Sequence, residues 1–113
     1  YLEGVALAVK EGVPLQAITD VLDNSGAKNV AASVKLPSIL QRDFTPHFLL
    51  ELMHKDAKLA QQELEKLHID LPLAKGFIKV CQEAMDAGLG KEDWSAIVKL
   101  LEKKAGVEIT SSE

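Results

Sequence analysis

With 113 residues, 47% hydrophobic, 27% charged and only 4% aromatic, the chain falls within the range of one soluble globular domain. Its 17 Asp and Glu outweigh 13 Lys and Arg, a net charge of −4 that leaves no basic stripe to neutralise a phosphate backbone and excludes nucleic acid as a partner. No apolar run reaches the roughly 18 residues of a membrane span, so a membrane is excluded as well.

The pattern is helical throughout, apart from the C-terminal tail, and no stretch alternates with the period of two that a half-buried strand requires. The expected fold class is therefore all-α, a single domain of five or six helices. Tyr1 to Glu11 forms a first helix, with Leu2, Val5, Ala6 and Val9 at helical spacing, and Gly12 stops it. Leu7 and Ala8 add apolar positions on another side, the pattern of a helix buried all round, whose second face must be covered either by the other helices of the chain or by a second copy. Pro14 suits the first turn of a second helix that carries Leu15, Ile18, Val21 and Leu22 on one face until Asn24-Ser25-Gly26 ends it. A third helix runs from Ala27 to about Val34, interrupted at Leu36-Pro37 because the proline ring disfavours helical geometry at the residue before it.

Thr45-Pro46 reads as the cap and first residue of the longest helix, Pro46 to His68, with Phe48, Leu52, Leu59, Leu64 and Leu67 on one apolar face. Glu51 and Lys55 are spaced i,i+4 in the favourable order, a pair that contributes roughly 0.2–0.5 kcal/mol. Asp70-Leu71-Pro72 restarts the chain into Leu73 to about Ala87, with Phe77, Cys81 and Ala84 on one side and Gly88-Leu89-Gly90 as its end. Asp93 caps a last helix whose stripe is Trp94, Ile97, Val98, Leu101 and Ala105, with Lys103 and Lys104 at the negative end of its dipole. Val107 to Glu113 reads as a frayed polar tail.

The usual catalytic constellations are missing: no glycine-rich phosphate loop, no His-Glu-x-x-His and no Gly-x-Ser-x-Gly occurs. Gly88-x-Gly90 is better explained as a helix ending than as a nucleotide loop. His47, His54 and His68 recur at spacings of 7 and 14 near one stripe, but ligands two turns apart on one helix do not converge on a metal; they read as surface histidines, and no metal site is expected. Cys81, the one cysteine, reads as a small buried hydrophobe, and its lack of a disulfide partner points to a reducing, cytoplasmic setting. The opening Tyr1-Leu2-Glu3-Gly4 lacks a secretory signal, and without a starting methionine the chain is expected to be a piece of something longer.

Three local patterns in order resemble one family: Glu3-Gly4-Val5-Ala6-Leu7-Ala8 to Gly12-Val13, Phe48-x6-Lys55-Asp56-x2-Leu59-Ala60, and Gly88-Leu89-Gly90-x2-Asp93-x-Ser95-Ala96. Together they cover roughly Glu3 to Leu101 and resemble the C-terminal helical domain of the β-hydroxyacid dehydrogenases, a group related to 6-phosphogluconate dehydrogenase. The resemblance implies that residues 1–113 are the helical substrate and dimerisation domain of an oxidoreductase. An N-terminal Rossmann domain, absent from this chain, would hold NAD or NADP. The family's catalytic lysine would fall about four turns before Tyr1, so this piece alone would be inactive on its small hydroxyacid substrate.

By the same resemblance, Lys55 matches the lysine that approaches cofactor and substrate, Asp56 its neighbouring acid, and Phe48 the aromatic at the nicotinamide end of the cleft. Ser25 and Gly26 match a small-residue loop near the substrate, and Pro14 departs from an acidic cap found in relatives. From spacing alone, Lys55 is equally the cationic half of the Glu51 pair, Asp56 an ordinary surface acid and Phe48 a core residue. The alternative function is a non-catalytic helical module whose apolar faces bind a partner protein.

Overall fold

The structure, a computed structural model, describes residues 1–111. Their elements are α1 (Leu2–Lys10), α2 (Leu15–Asn24), α3 (Val30–Leu40), α4 (Leu50–Lys66), α5 (Pro72–Asp86), a 3-10 turn (Trp94–Ala96) and α6 (Ile97–Ala105). Among the described residues the one strand-like feature is an isolated bridge between Leu49 and Asp93, so the fold is all-α with six α-helices, as the hydrophobic periodicity requires. The chain divides into two compact units, one of Tyr1–Phe44 with the chain from Val98 onward, the other Thr45–Ile97.

The first unit is built on a core of Leu2, Val5, Ala6, Ile18, Leu36, Ile39, Val98 and Ile109. Helix α1 buries Leu2, Val5 and Ala6 and half-buries Ala8 and Val9, but Leu7 is 63% exposed; it is an amphipathic helix and not one buried all round. Gly12, at φ 80, takes the left-handed conformation that closes α1, letting its own N–H reach Val9 O and that of Val13 reach Ala8 O. In α2 only Ile18 is buried; Leu15 and Leu22 are half-buried and Val21, expected on the same face, is 61% exposed.

Helix α3 departs most from the sequence pattern. It begins at Val30, where the Asn29 side chain accepts a hydrogen bond from Ala32 N, and it runs through Pro37 to Leu40. An interior proline costs about 3 kcal/mol. Leu36 and Ile39, on either side of Pro37, are 4% and 0% exposed, and their burial at roughly 1.5–3 kcal/mol each offsets that cost.

The tail is docked rather than frayed. Glu102 on α6 accepts from Arg42 Nη1 and Nη2, at 2.6 and 3.1 Å, and also from Ile109 N at 2.7 Å. Arg42 Nη1 donates on to Ile109 O and Ser111 N to Leu40 O, so the backbone after Gly106 has partners while the Ile109 side chain enters the core. Ser112 and Glu113 lie outside the described residues.

In the second unit α4 packs along α5. Helix α4 starts at Leu50, four residues later than the Thr45-Pro46 signal suggests, because a tertiary partner replaces the local cap. The N–H groups of Leu50 and Glu51 go to the carbonyls of Glu92 and Gly90, and those of His47 and Phe48 to the Asp93 carboxylate. The buried stripe of α4 is Leu50, His54 and Ala57, spaced i, i+4, i+7. Of the apolar face expected from sequence, Leu64 is half-buried, while Phe48, Leu52, Leu59 and Leu67 are exposed. At about 100° per residue, Leu52, Lys55 and Leu59 fall on the side opposite the buried stripe.

Helix α5 starts with Pro72 at its first position and seals Cys81 and Ala84, both 0% exposed; Phe77, expected beside them, is 44% exposed. Desolvation pushes the Cys81 thiol above its ordinary value, which depletes the thiolate at neutral pH. Alkylation of the native protein at neutral pH is therefore expected to be slow and to become fast only on unfolding. Rapid stoichiometric labelling without denaturant would contradict this burial.

Candidate functional site

The loop residues Thr45 to Leu49 owe their placement to Asp93. Its carboxylate is 1% exposed and works with both oxygens: Oδ2 accepts from His47 N at 3.0 Å and Phe48 N at 3.3 Å, and Oδ1 accepts from Ser95 N at 3.0 Å and Ser95 Oγ at 2.7 Å. Sequence reasoning identified Asp93 as the cap of the last helical segment, and it is, but the same group also fixes Phe48. Trp94 N completes the link by donating to Phe48 O at 3.0 Å.

So held, Phe48 lines one wall of a groove of about 340 Å³ between α4 and α5. Phe77 is another wall, Ala57, Ala60 and Ala74 make the groove by being small, and Asp56 is its one charged lining residue. Lys55 does not line it. Its side chain, 62% exposed, lies on the outward face between Leu52 and Leu59, and its ammonium meets Asp56 Oδ1 at 3.1 Å.

The expected Glu51–Lys55 pair does not form. Glu51 is held instead by Lys91 at 2.8 Å, so the i,i+4 spacing is filled by a partner from the loop after α5. The structure thus brings Phe48 and Asp56 to one groove, with Lys55 tied to it through Asp56. Ser25 and Gly26 close α2 in the other unit, where Ser25 Oγ accepts from Ala27 N.

The groove's second aromatic wall escaped sequence reasoning. Phe77 shares a helical side with Cys81 and Ala84 and so looks like core, and only the packing of α5 against α4 reveals that it lines the groove at 44% exposure. Of the three histidines read as surface residues, His54 is instead buried at 9% exposure, while His47 and His68 are exposed, His68 closing α4 in the left-handed conformation at φ 55. Among the described residues no three His, Cys, Asp or Glu side chains converge as metal ligands would, and no helix is long and apolar enough to cross a membrane.

Residues 1–101 match the family model described as NAD-binding of NADP-dependent 3-hydroxyisobutyrate dehydrogenase. The chain belongs to that family. It is 34% identical over 98 residues to L-threonate dehydrogenase of Escherichia coli, an alignment covering 87% of this chain and 32% of that protein. A 28% identity over 112 residues relates it to 2-(hydroxymethyl)glutarate dehydrogenase of Eubacterium barkeri, covering 98% of this chain and 37% of the relative. The crystal structure of a 3-hydroxyisobutyrate dehydrogenase from Salmonella typhimurium superposes with a TM-score of 0.82 at 30% identity, covering 88% of this chain and 35% of that one. The chain therefore spans about a third of the length of the relatives it matches.

Beside the groove of this 3-hydroxyisobutyrate dehydrogenase-type helical region lie an aromatic ring and an open cation–carboxylate pair. The partly exposed Phe48 ring can lie against a flat heterocycle, and the Lys55 ammonium can donate to a carboxylate, amide or phosphate oxygen.

Proposed function

We propose that residues 1–113 are the C-terminal helical domain of an NAD(P)-dependent β-hydroxyacid dehydrogenase, preceded by a Rossmann domain that carries most of the cofactor contacts and followed in action by closure of the cleft against the groove of the second unit. The observation that carries this is the open Lys55–Asp56 pair beside the Phe48 groove, inside a chain of this family. When bound, the nicotinamide supplies the hydride acceptor or donor. This chain's own part is to bind and orient. Lys55 neutralises the carboxylate of a small hydroxyacid or meets a polar edge of the cofactor, Asp56 keeps that ammonium extended, and Phe48 keeps water from the nicotinamide end. An unpaired, buried Cys81 suits a reducing, cytoplasmic compartment.

The test is to express the chain with its upstream coding sequence and follow NAD+ and NADP+ reduction with L-threonate, 3-hydroxyisobutyrate and related hydroxyacids. Turnover of at least one is expected with the joined protein and none with residues 1–113 alone. An upstream region without Gly-x-Gly-x-x-Gly, together with no nicotinamide reduction, sinks the proposal.

Assembly as a homodimer is part of the same reading. In the second unit Leu59, Leu67 and Leu73 are 53%, 64% and 89% exposed, and covering three such side chains offers roughly 4.5–9 kcal/mol gross at about 1.5–3 kcal/mol each. Sedimentation equilibrium is expected to give twice the chain mass at high concentration; a mass that stays at one chain throughout refutes the dimer.

A further inference from the structure

The buried His54 has a defined proton arrangement that follows from groups two links away. His54 Nε2 lies 2.9 Å from Gln82 Oε1, and the other end of that amide, Gln82 Nε2, donates to Asp86 Oδ1 at 2.9 Å. A carboxylate only accepts, so Asp86 forces Gln82 to turn its NH2 towards α5's own next turn and its oxygen towards α4. An amide oxygen also only accepts. His54 must therefore be the donor at Nε2, and its neutral form carries the proton there and not on Nδ1.

The consequence reaches the candidate site through the helix. His54 directly precedes Lys55 and Asp56, and it is the one ring on the buried stripe of α4, between Leu50 and Ala57. Apolar contacts with α5 are non-directional and tolerate a small rotation of α4 about its axis. The hydrogen bond to Gln82 does not, because it needs a near-linear N–H pointing at one oxygen. Fixing the azimuth of His54 fixes, about 100° and 200° further round, the directions in which Lys55 and Asp56 respectively leave the helix.

We propose that Asp86, acting through Gln82, locks His54 as the Nε2–H tautomer, and that His54 so locked is a positioning residue for the Lys55–Asp56 pair. The second half rests on the dehydrogenase function proposed above; the first does not. Long-range 1H–15N correlation spectra of the histidine rings test the first. In the neutral form of His54 the proton is expected on Nε2, and Asp86→Asn, which gives Gln82 a neighbour able to donate or accept, is expected to bring in the Nδ1–H form. A proton on Nδ1 in the unmodified protein, or a tautomer indifferent to Asp86→Asn, overturns the lock.

A double-mutant cycle in the joined enzyme tests the positioning role. His54→Leu is expected to raise KM about tenfold with little change in kcat, the size of one lost hydrogen bond. The same change is expected to add nothing further once Lys55→Ala is present. His54→Gln, which restores an N–H donor, is expected to recover most of the loss. Additive effects, or no recovery with Gln, overturn the role. A Lys55→Ala enzyme with unchanged kinetics removes the functional reading and the positioning role together, while the tautomer result still decides the lock.

Discussion

Replacing Asp93 by alanine is expected to destabilise the protein by about 3 kcal/mol or more, far beyond the roughly 0.5–2 kcal/mol of an ordinary cap. The carboxylate is 1% exposed and accepts from three backbone N–H groups, those of His47, Phe48 and Ser95, besides the Ser95 hydroxyl. Each buried donor left without an acceptor costs about 1–3 kcal/mol. Against a typical total of about 5–15 kcal/mol, that approaches unfolding. Asp93→Asn keeps one acceptor oxygen and is expected to lose less. Urea denaturation measures both, and amide exchange at His47 and Phe48 should accelerate in the alanine variant. A loss below 1 kcal/mol, with those amides still protected, would mean that Asp93 is only a cap and that something else holds the loop.

Asp93 also marks where the sequence stopped being informative about the fold. Its role towards Ser95 is local, two residues away, and propensity finds it; its role towards His47 and Phe48 spans more than forty residues, and no local pattern encodes it. The same division explains the start of α4. Thr45-Pro46 has the composition of a helix start, yet the loop around Glu92 supplies the partners, and the helix begins only at Leu50. Pro37 fails in the opposite sense: the local penalty is real, but Leu36 and Ile39 gain more from burial than the helix loses. The tail misled for a third reason. Val107 to Glu113 reads as a polar tail, but one isoleucine at 0% exposure and one buried carboxylate on α6 are enough to dock its described part.

Elements whose ends are written in glycine were readable, because only a left-handed residue lets the last N–H groups fold back: Gly12 and Gly88, at φ 80 and 82, stop α1 and α5 where the sequence places them. Arg42 and His68 do the same work at φ 57 and 55 without any such signature. At the candidate site the motif residues were legible only through resemblance. Spacing made Lys55 the partner of Glu51, and three-dimensional proximity gave Glu51 to Lys91 instead. The groove itself depends on three alanines, which carry no chemical signal until two helices are laid side by side.

With Glu51 engaged elsewhere, the ordinary explanation for Lys55 loses its partner, and the second large effect follows. In the joined enzyme Lys55→Ala is expected to raise KM for hydroxyacid or cofactor on the order of 10- to 100-fold, the equivalent of one charge-assisted hydrogen bond of about 1.5–3 kcal/mol. Stability should move by no more than about 0.5 kcal/mol, because a lysine 62% exposed and paired only with an equally open Asp56 contributes little to folding. Lys55→Arg separates charge from shape: it keeps the cation but replaces a compact ammonium with a planar fork, so a partial rescue is expected. Raising ionic strength should narrow the gap between wild type and Lys55→Ala only slightly if closure excludes water around the ammonium, and markedly if the lysine stays at the surface. Steady-state kinetics with urea denaturation of the same preparations gives both halves of the comparison. Unchanged KM with unchanged stability would return Lys55 to the role of a solvated side chain beside Asp56, and a large stability loss would make it a structural residue.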